Sequence, residues 1–178
     1  MNTHFTQFPL IETERLFLRR LVANDAPAIQ QLRSNNEVNK YLNRPKSINE
    51  EECLAYIEMI GNNFIEGKSF YWVLTLKHDA TLIGTICLWN FDVKTDTADL
   101  GYELTPKYQG KGLMNEAVEK VIEFGFDKVQ LKMILGVVHP ENENSVNILK
   151  RNGFIKDESF TYVSKEEADG GVVYFLVR

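Results

Sequence analysis

The chain has 178 residues, 44% of them apolar and 25% charged, with a formal charge of -5. That is enough apolar material for one core without metal or disulfide staples, and the lack of a long single-sign charge block excludes global disorder. An acidic balance argues against a non-specific nucleic-acid binder, which needs basic density on one face, and mildly favours a cationic small molecule or a basic peptide as partner.

The length predicts a single domain over residues 1–178. The opening MNTHFTQFPLIETERL has neither the basic nor the apolar region of a secretory signal, and no apolar run reaches the ~18 residues of a membrane span. A cytoplasmic chain with no membrane partner is therefore expected. RLFLRRL, residues 15–21, alternates as a first strand. Asn24 or Asp25 can cap a short helix that tolerates Pro27 in its first turn. A second helix follows in KSINEEECLAYIEMIGNNF, capped by Ser47 or Asn49, with Glu50, Glu51 and Glu52 at the positive end of its dipole. Its apolar stripe runs through Cys53, Ile57, Ile60 and Phe64.

Consecutive strands are predicted over 69–76, 81–89 and 97–105, the first pair joined by the turn KHDA and the last ended by Pro106. A glycine-flanked loop then opens a long helix over 113–126. LKMILGVV, residues 131–138, reads as a fully buried central strand. HPENENSVNILKRNGF holds a short helix stopped at Gly153, and strands over about 154–164 and 171–177 flank the polar loop KEEADG. The order β-α-α-β-β-β-α-β-α-β-β predicts an α/β mixed sheet with helices on both faces and a ligand at the central crossover.

The loop YQGKG carries the chemistry. The first N–H groups of a helix lack intrahelical partners, and the peptide dipoles make that end partly positive. Gly110 and Gly112 keep side chains out of the way, while Gln109 and Lys111 can add donors at the rim, so a phosphorylated ligand would seat at the start of the helix. Taken alone, two glycines before a helix favour a plain turn. The triphosphate-binding loop needs Ser or Thr after its lysine, and Lys111 is followed by Gly112 and Leu113. The dinucleotide fingerprint fails as well, since its last glycine falls on Asn115.

This loop resembles the Gln/Arg-x-x-Gly-x-Gly/Ala signature of the GNAT superfamily of N-acetyltransferases, with Gln109, Gly112 and, in the usual place of a small residue, Met114. YQGKGLMNEA is especially similar to the branch that acetylates ribosomal-protein N-termini. IETERLFLRRL fits the opening of that branch, and Asn142, Ser145, Gly153 and Phe154 match its Asn-x-x-Ser helix followed by Gly-Phe. The resemblance spans about residues 11–177. It implies the GNAT acyl-CoA N-acyltransferase fold with splayed central strands, and acetyl-CoA (coenzyme A) as cofactor. Its pyrophosphate would lie on the amides of Gly110, Lys111, Gly112, Leu113 and Met114, with Gln109 beside them. Its pantetheine arm would pair with the backbone of Glu103, Leu104 and Thr105, and Asn142 would contact that arm. Met114 is expected to cost a local adjustment and leave the site intact.

The reaction is attack of a neutral amine on a thioester, which needs positioning, donors for the oxyanion and some proton transfer. Glu103 is the candidate base: it ends the cofactor strand on the face opposite Leu100, Tyr102 and Leu104. Its alternative is a solvated face of the sheet. Ser145 is the candidate acid for the departing thiolate, a role the resemblance implies; many relatives use a tyrosine four positions later, where this chain has Leu149. Its alternative is helix capping. His4, His78 and His139 lack metal-ligand spacing, so no metal is expected, and His4 is expected to precede the fold. Cys53 and Cys87 form no CxxC pair and are expected as reduced core residues. Tyr41, Trp72, Trp89 and Phe91 are candidates for an acceptor pocket or for the core. The acceptor is expected to be a protein N-terminal α-amine, with a small amine (polyamine, amino acid or antibiotic) or a non-catalytic acyl-CoA-binding module as alternatives. The assembly is expected to be a monomer or a homodimer.

Overall fold

Strand β1 (Ile11–Glu12) folds back antiparallel on β2 (Leu16–Arg20), whose Leu16 and Leu18 are fully buried. The computed structural model describes residues 1–42, 44, 49–161 and 171–178. A 3-10 turn leads into α1 (Ala26–Ser34), and α2 (Glu50–Ile65) follows. Strands β3 (Phe70–Leu76), β4 (Asp79–Asp92) and β5 (Thr97–Leu104) form an antiparallel meander. Helix α3 (Leu113–Phe124) runs into a π turn over Gly125–Val129 and returns as β6 (Met133–Val138), parallel to β5. Helix α4 (Glu143–Arg151) then leads to β7 (Ile155–Thr161) and β8 (Val172–Val177), with β8 lying between β6 and β7. Among the described residues the sheet order is β1-β2-β3-β4-β5-β6-β8-β7. This is the expected mixed α/β architecture, with β1 added at the start.

The alternation of β3 explains why both faces carry helices. Phe70, Trp72 and Leu74 point into the larger cluster with Ala117, Val118 and Val121 of α3 and Leu149 of α4. Tyr71 and Val73 point the other way, toward Ile29 and Leu32 of α1 and Cys53 and Ile57 of α2. Trp72 is fully buried and its indole donates to the Pro9 carbonyl at 2.7 Å, so it belongs to the core. The N-terminal segment is part of the fold as well. Phe5 meets the Phe70 ring edge-on at 5.2 Å and Phe8 meets Trp72 at 6.0 Å, burial that aromatic residues before a first strand do not announce.

The caps fall where polar side chains have nothing better to hold. Asn49 caps α2 with a reciprocal box to Glu52, while Ser47 and the KEEADG loop lie outside the described residues. Asp25 precedes α1 without capping it through its side chain. Its buried carboxylate instead takes both Arg19 nitrogens at 2.7 Å and the Val22 amide at 3.0 Å. Gly153, at φ +83, ends α4 in the left-handed conformation that glycine adopts without strain.

Strand β6 departs from the fully buried reading. Ile134, Gly136 and Val138 face inward, but Met133, Leu135 and Val137 are half-buried, because α1 and α2 lie over β3 and β4 and leave that face of β6 uncovered. Pairing between β5 and β6 covers only Thr97–Met133, Ala98–Ile134 and Asp99–Leu135. Beyond Asp99 the strands part, and the open edge of β5 runs on to Leu104. That opening positions the site.

Candidate active site

The backbone after β5 turns sharply. The Thr105 amide still pairs with the Ile83 carbonyl at 2.9 Å, Pro106–Tyr108 makes one 3-10 turn, and Gln109 Nε2 donates back to the Leu104 carbonyl at 2.9 Å. Gly110 and Gly112 then take φ of +71 and +76, and Gly112 is the N-cap of α3 with no side-chain cap. A Cβ at Gly110 would meet nothing within 4 Å. The positive end of α3 is thus uncapped and open to an anion, which a plain turn would not require.

The loop is held from below by residues before β2. Glu116, in the first turn of α3, accepts from the Thr13 hydroxyl, from the Arg15 amide at 2.8 Å and from Arg15 Nε at 2.7 Å. Arg15 Nη1 also donates to the Lys111 carbonyl at 2.9 Å. Burial opposes the Glu116 charge, and the bonds from Thr13 and Arg15 more than offset this, leaving the carboxyl below its ordinary range.

A groove of about 590 Å³ joins this loop to the open end of β5, the start of α4 and the chain after α1. Of the residues expected at a cofactor, Leu104, Gln109, Gly110, Gly112, Leu113 and Met114 line it, as do Asn142 and Ser145. Thr105 and Lys111 are outside the lining. The amide and carbonyl of Thr105 are engaged by Ile83 and Tyr108, and the Lys111 amine stands 5.7 Å from the Tyr108 ring. Met114 is buried in the core with its edge on the groove, so its bulk is taken up below the loop.

Glu103 faces the groove and the α2 side of the sheet. Its oxygens are taken by Arg44 at 2.5 and 2.6 Å, and its side chain is 13% exposed, which is not a solvated face. Around it burial pushes the Tyr56 and Tyr71 phenols up, and burial followed by the Glu103 charge pushes the Cys87 thiol up to about 12. Neither cysteine is in a disulfide; Cys53 is buried in the α1–α2 cluster and Cys87 packs against it.

At the start of α4 it is Asn142 that caps, its Oδ1 accepting from the Ser145 amide at 3.3 Å. Ser145 is inside the helix and lines the groove. Tyr102, grouped by alternation with the apolar Leu100 and Leu104, reaches across the gap and donates to the Ser145 carbonyl at 3.2 Å. Burial pushes its phenol well up. Arg44, Arg15, Glu116 and Tyr102 are the site residues that sequence reasoning missed. Only Tyr102 left a signal, a hydroxyl on a face otherwise apolar.

Tyr41 lines the groove and stacks on His139 at 5.1 Å, whereas Trp89 and Phe91 border a second cavity of about 750 Å³ on the α2 face. His4 lies beside that cavity too, packed near Gly67. Among the described residues no cluster of His, Cys, Asp and Glu could hold a metal, and no helix is long and apolar enough to cross a membrane.

An open anion seat beside a strand edge that parts from its parallel neighbour is the arrangement that the resemblance to GNAT N-acetyltransferases implies. The family profile described as the Acetyltransferase (GNAT) domain matches residues 15–155, and the chain belongs to that family and is an N-acetyltransferase. It is 33% identical over 150 residues to the uncharacterised N-acetyltransferase YoaA of Bacillus subtilis (strain 168), covering 84% of this chain and 85% of that one. It is 25% identical over 145 residues to the ribosomal-protein-serine acetyltransferase of Escherichia coli (strain K12), covering 80% of each chain. Its fold matches the crystal structure of ribosomal-protein-S5-alanine acetyltransferase from Vibrio fischeri at a TM-score of 0.81, with 23% identity over 95% of this chain and 96% of that one.

Proposed function

We propose that the chain transfers the acetyl group of acetyl-CoA to a primary amine, and that its acceptor is the α-amine of a protein N-terminus. One observation carries this: the uncapped, glycine-flanked start of α3 opens into the same groove as the unpaired edge of β5. The residues fit the cofactor. The amides of residues 110–114 offer a seat for its pyrophosphate, and the β5 edge offers backbone partners for an extended arm, as a sheet edge does for an added strand.

Acetyl-CoA supplies the thioester when bound. The groove holds the amine against it, and that positioning together with fixed donors at the carbonyl oxygen can supply most of the rate. Glu103 receives the proton that the attacking nitrogen sheds, directly or through water. Ser145 gives its hydroxyl proton to the leaving sulfur and regains one from solvent. An α-amine has a reference pKa of about 7.7–8.0 and a lysine-like amine about 10.4, so near neutrality the first needs far less help from a base. A carboxylate that holds a guanidinium on both oxygens before the acceptor arrives suits the undemanding acceptor. The likeness to acetyltransferases of ribosomal proteins supports the same choice.

Calorimetry with CoA tests the seat. Gly112→Val places a branched side chain where φ is +76 and the phosphate would rest. Affinity should fall more than tenfold, about 1.4 kcal/mol, with the far-ultraviolet spectrum of the fold retained. Affinity within about twofold of the parent would remove the loop from cofactor binding.

A further inference from the structure

Arg44 and Glu103 lie 59 positions apart and meet as fork on fork, Nη1 to Oε1 at 2.5 Å and Nη2 to Oε2 at 2.6 Å. Arg44 Nε is steadied by Asn39 Oδ1 at 3.1 Å. The two side chains are only 19% and 13% exposed, so the pair is largely dehydrated. Burial works against the Arg44 charge, and the bond from Glu103 more than restores it. Tyr56 and Tyr71 stand alongside as neutral phenols. Glu37 and Lys40, exposed at the groove mouth, add one charge of each sign. Of these, Glu103 lines the groove, Arg44 backs it through this pair, and Tyr56 and Tyr71 line the neighbouring cavity, so this floor is electrically balanced before anything binds.

An ammonium that reaches Glu103 alone would leave this floor with an uncompensated positive charge, and a dehydrated, unpaired charge is costly. An acceptor that brings its own carboxylate avoids this. Its ammonium replaces the guanidinium on Glu103, its carboxylate takes the freed fork of Arg44, and the sum stays zero. The planar guanidinium suits that exchange, since it offers a carboxylate parallel bonds. We infer that Arg44 is a specificity-determining residue that selects amines carrying a nearby carboxylate. Building on the α-amine reading above, the acceptor is a polypeptide N-terminus with an acidic side chain within its first two residues.

Matched peptides beginning Ser-Glu, Ser-Gln and Ser-Lys, assayed with acetyl-CoA, test this on the intact protein. The Ser-Glu peptide should exceed Ser-Gln by at least about tenfold in kcat/KM, mostly through KM, with Ser-Lys poorest. Arg44→Gln should bring the Ser-Glu to Ser-Gln ratio within about twofold, while CoA affinity holds. Arg44→Lys, which keeps the charge and loses the fork, should fall between. Equal rates for the three peptides with the parent protein would overturn the inference while leaving N-terminal acetylation standing. A preference that survives in Arg44→Gln would overturn it too. Should no peptide react, the α-amine reading itself fails; a free amino acid compared with its carboxamide then decides, and equal rates would reject selection of a carboxylate.

Discussion

Asn142 and Ser145 share one helix turn and separate stability from chemistry. The Asn142 side chain caps α4, so Asn142→Ala should cost about 0.5–2 kcal/mol of stability. Ser145 makes no cap, so Ser145→Ala should melt within a degree or two of the parent while turnover falls, about 10²-fold if its proton matters to the departing sulfur. Thermal melts beside initial rates check both. A lowered melt with full activity in Ser145→Ala would return the serine to a structural role. At this scale the sequence was readable wherever a residue acts on its own neighbourhood. The positive φ of Gly110 and Gly112, the Asn49–Glu52 box and the Gly153 stop all depend on bonds within a few positions. Asp25 misled because Arg19, 6 positions earlier on the neighbouring strand, outcompetes the helix end for its carboxylate.

Helix α3 shows what the elements add. Its apolar face could be read from spacing, but the grip on its first turn could not, because Thr13 and Arg15 lie 103 and 101 positions from Glu116. That grip sets the anion seat at a fixed distance from β2. The Glu116 carboxyl is held below its ordinary value, so its contribution is complete above the unfolded carboxylate range, about pH 4–5, and drains as pH falls through the depressed value. Glu116→Gln should lose about 1 kcal/mol near pH 7, a modest figure because the Arg15 side chain is 45% exposed. Denaturant midpoints measured from pH 7 down to pH 3 should converge with those of the parent at the acid end. A gap that stays constant across that range would mean the carboxylate charge contributes nothing to the grip. CoA affinity should drop in the same variant, since the loop carbonyl of Lys111 shares Arg15 with Glu116.

Across the whole molecule, the order of elements predicted the mixed sheet because hydrophobic period and turn residues are local signals that repeat along the chain. Pairing limits are not local. That β5 and β6 keep only the pairs from Thr97 to Asp99 was expected from the family resemblance and not from any local pattern, and that β6 is covered on one face alone follows from where α1 and α2 come to rest. The same holds for Arg44 meeting Glu103, which turns an apparent lone base into half of a neutral pair. On the proposed function the acceptor would lie between the β5 edge and this balanced pair, a setting for an amine already partly unprotonated. Turnover with such an acceptor should rise from pH 6 to 8.5 as the α-amine, near 7.7–8.0, gives up its proton. The most direct measurement is to incubate the protein with acetyl-CoA and a peptide that carries both a free N-terminus and an internal lysine, and to locate the acetyl group by fragment mass spectrometry. Acetyl on the α-amine alone is the expected result. Acetyl on the lysine, or an untouched peptide beside an acetylated polyamine, would contradict it.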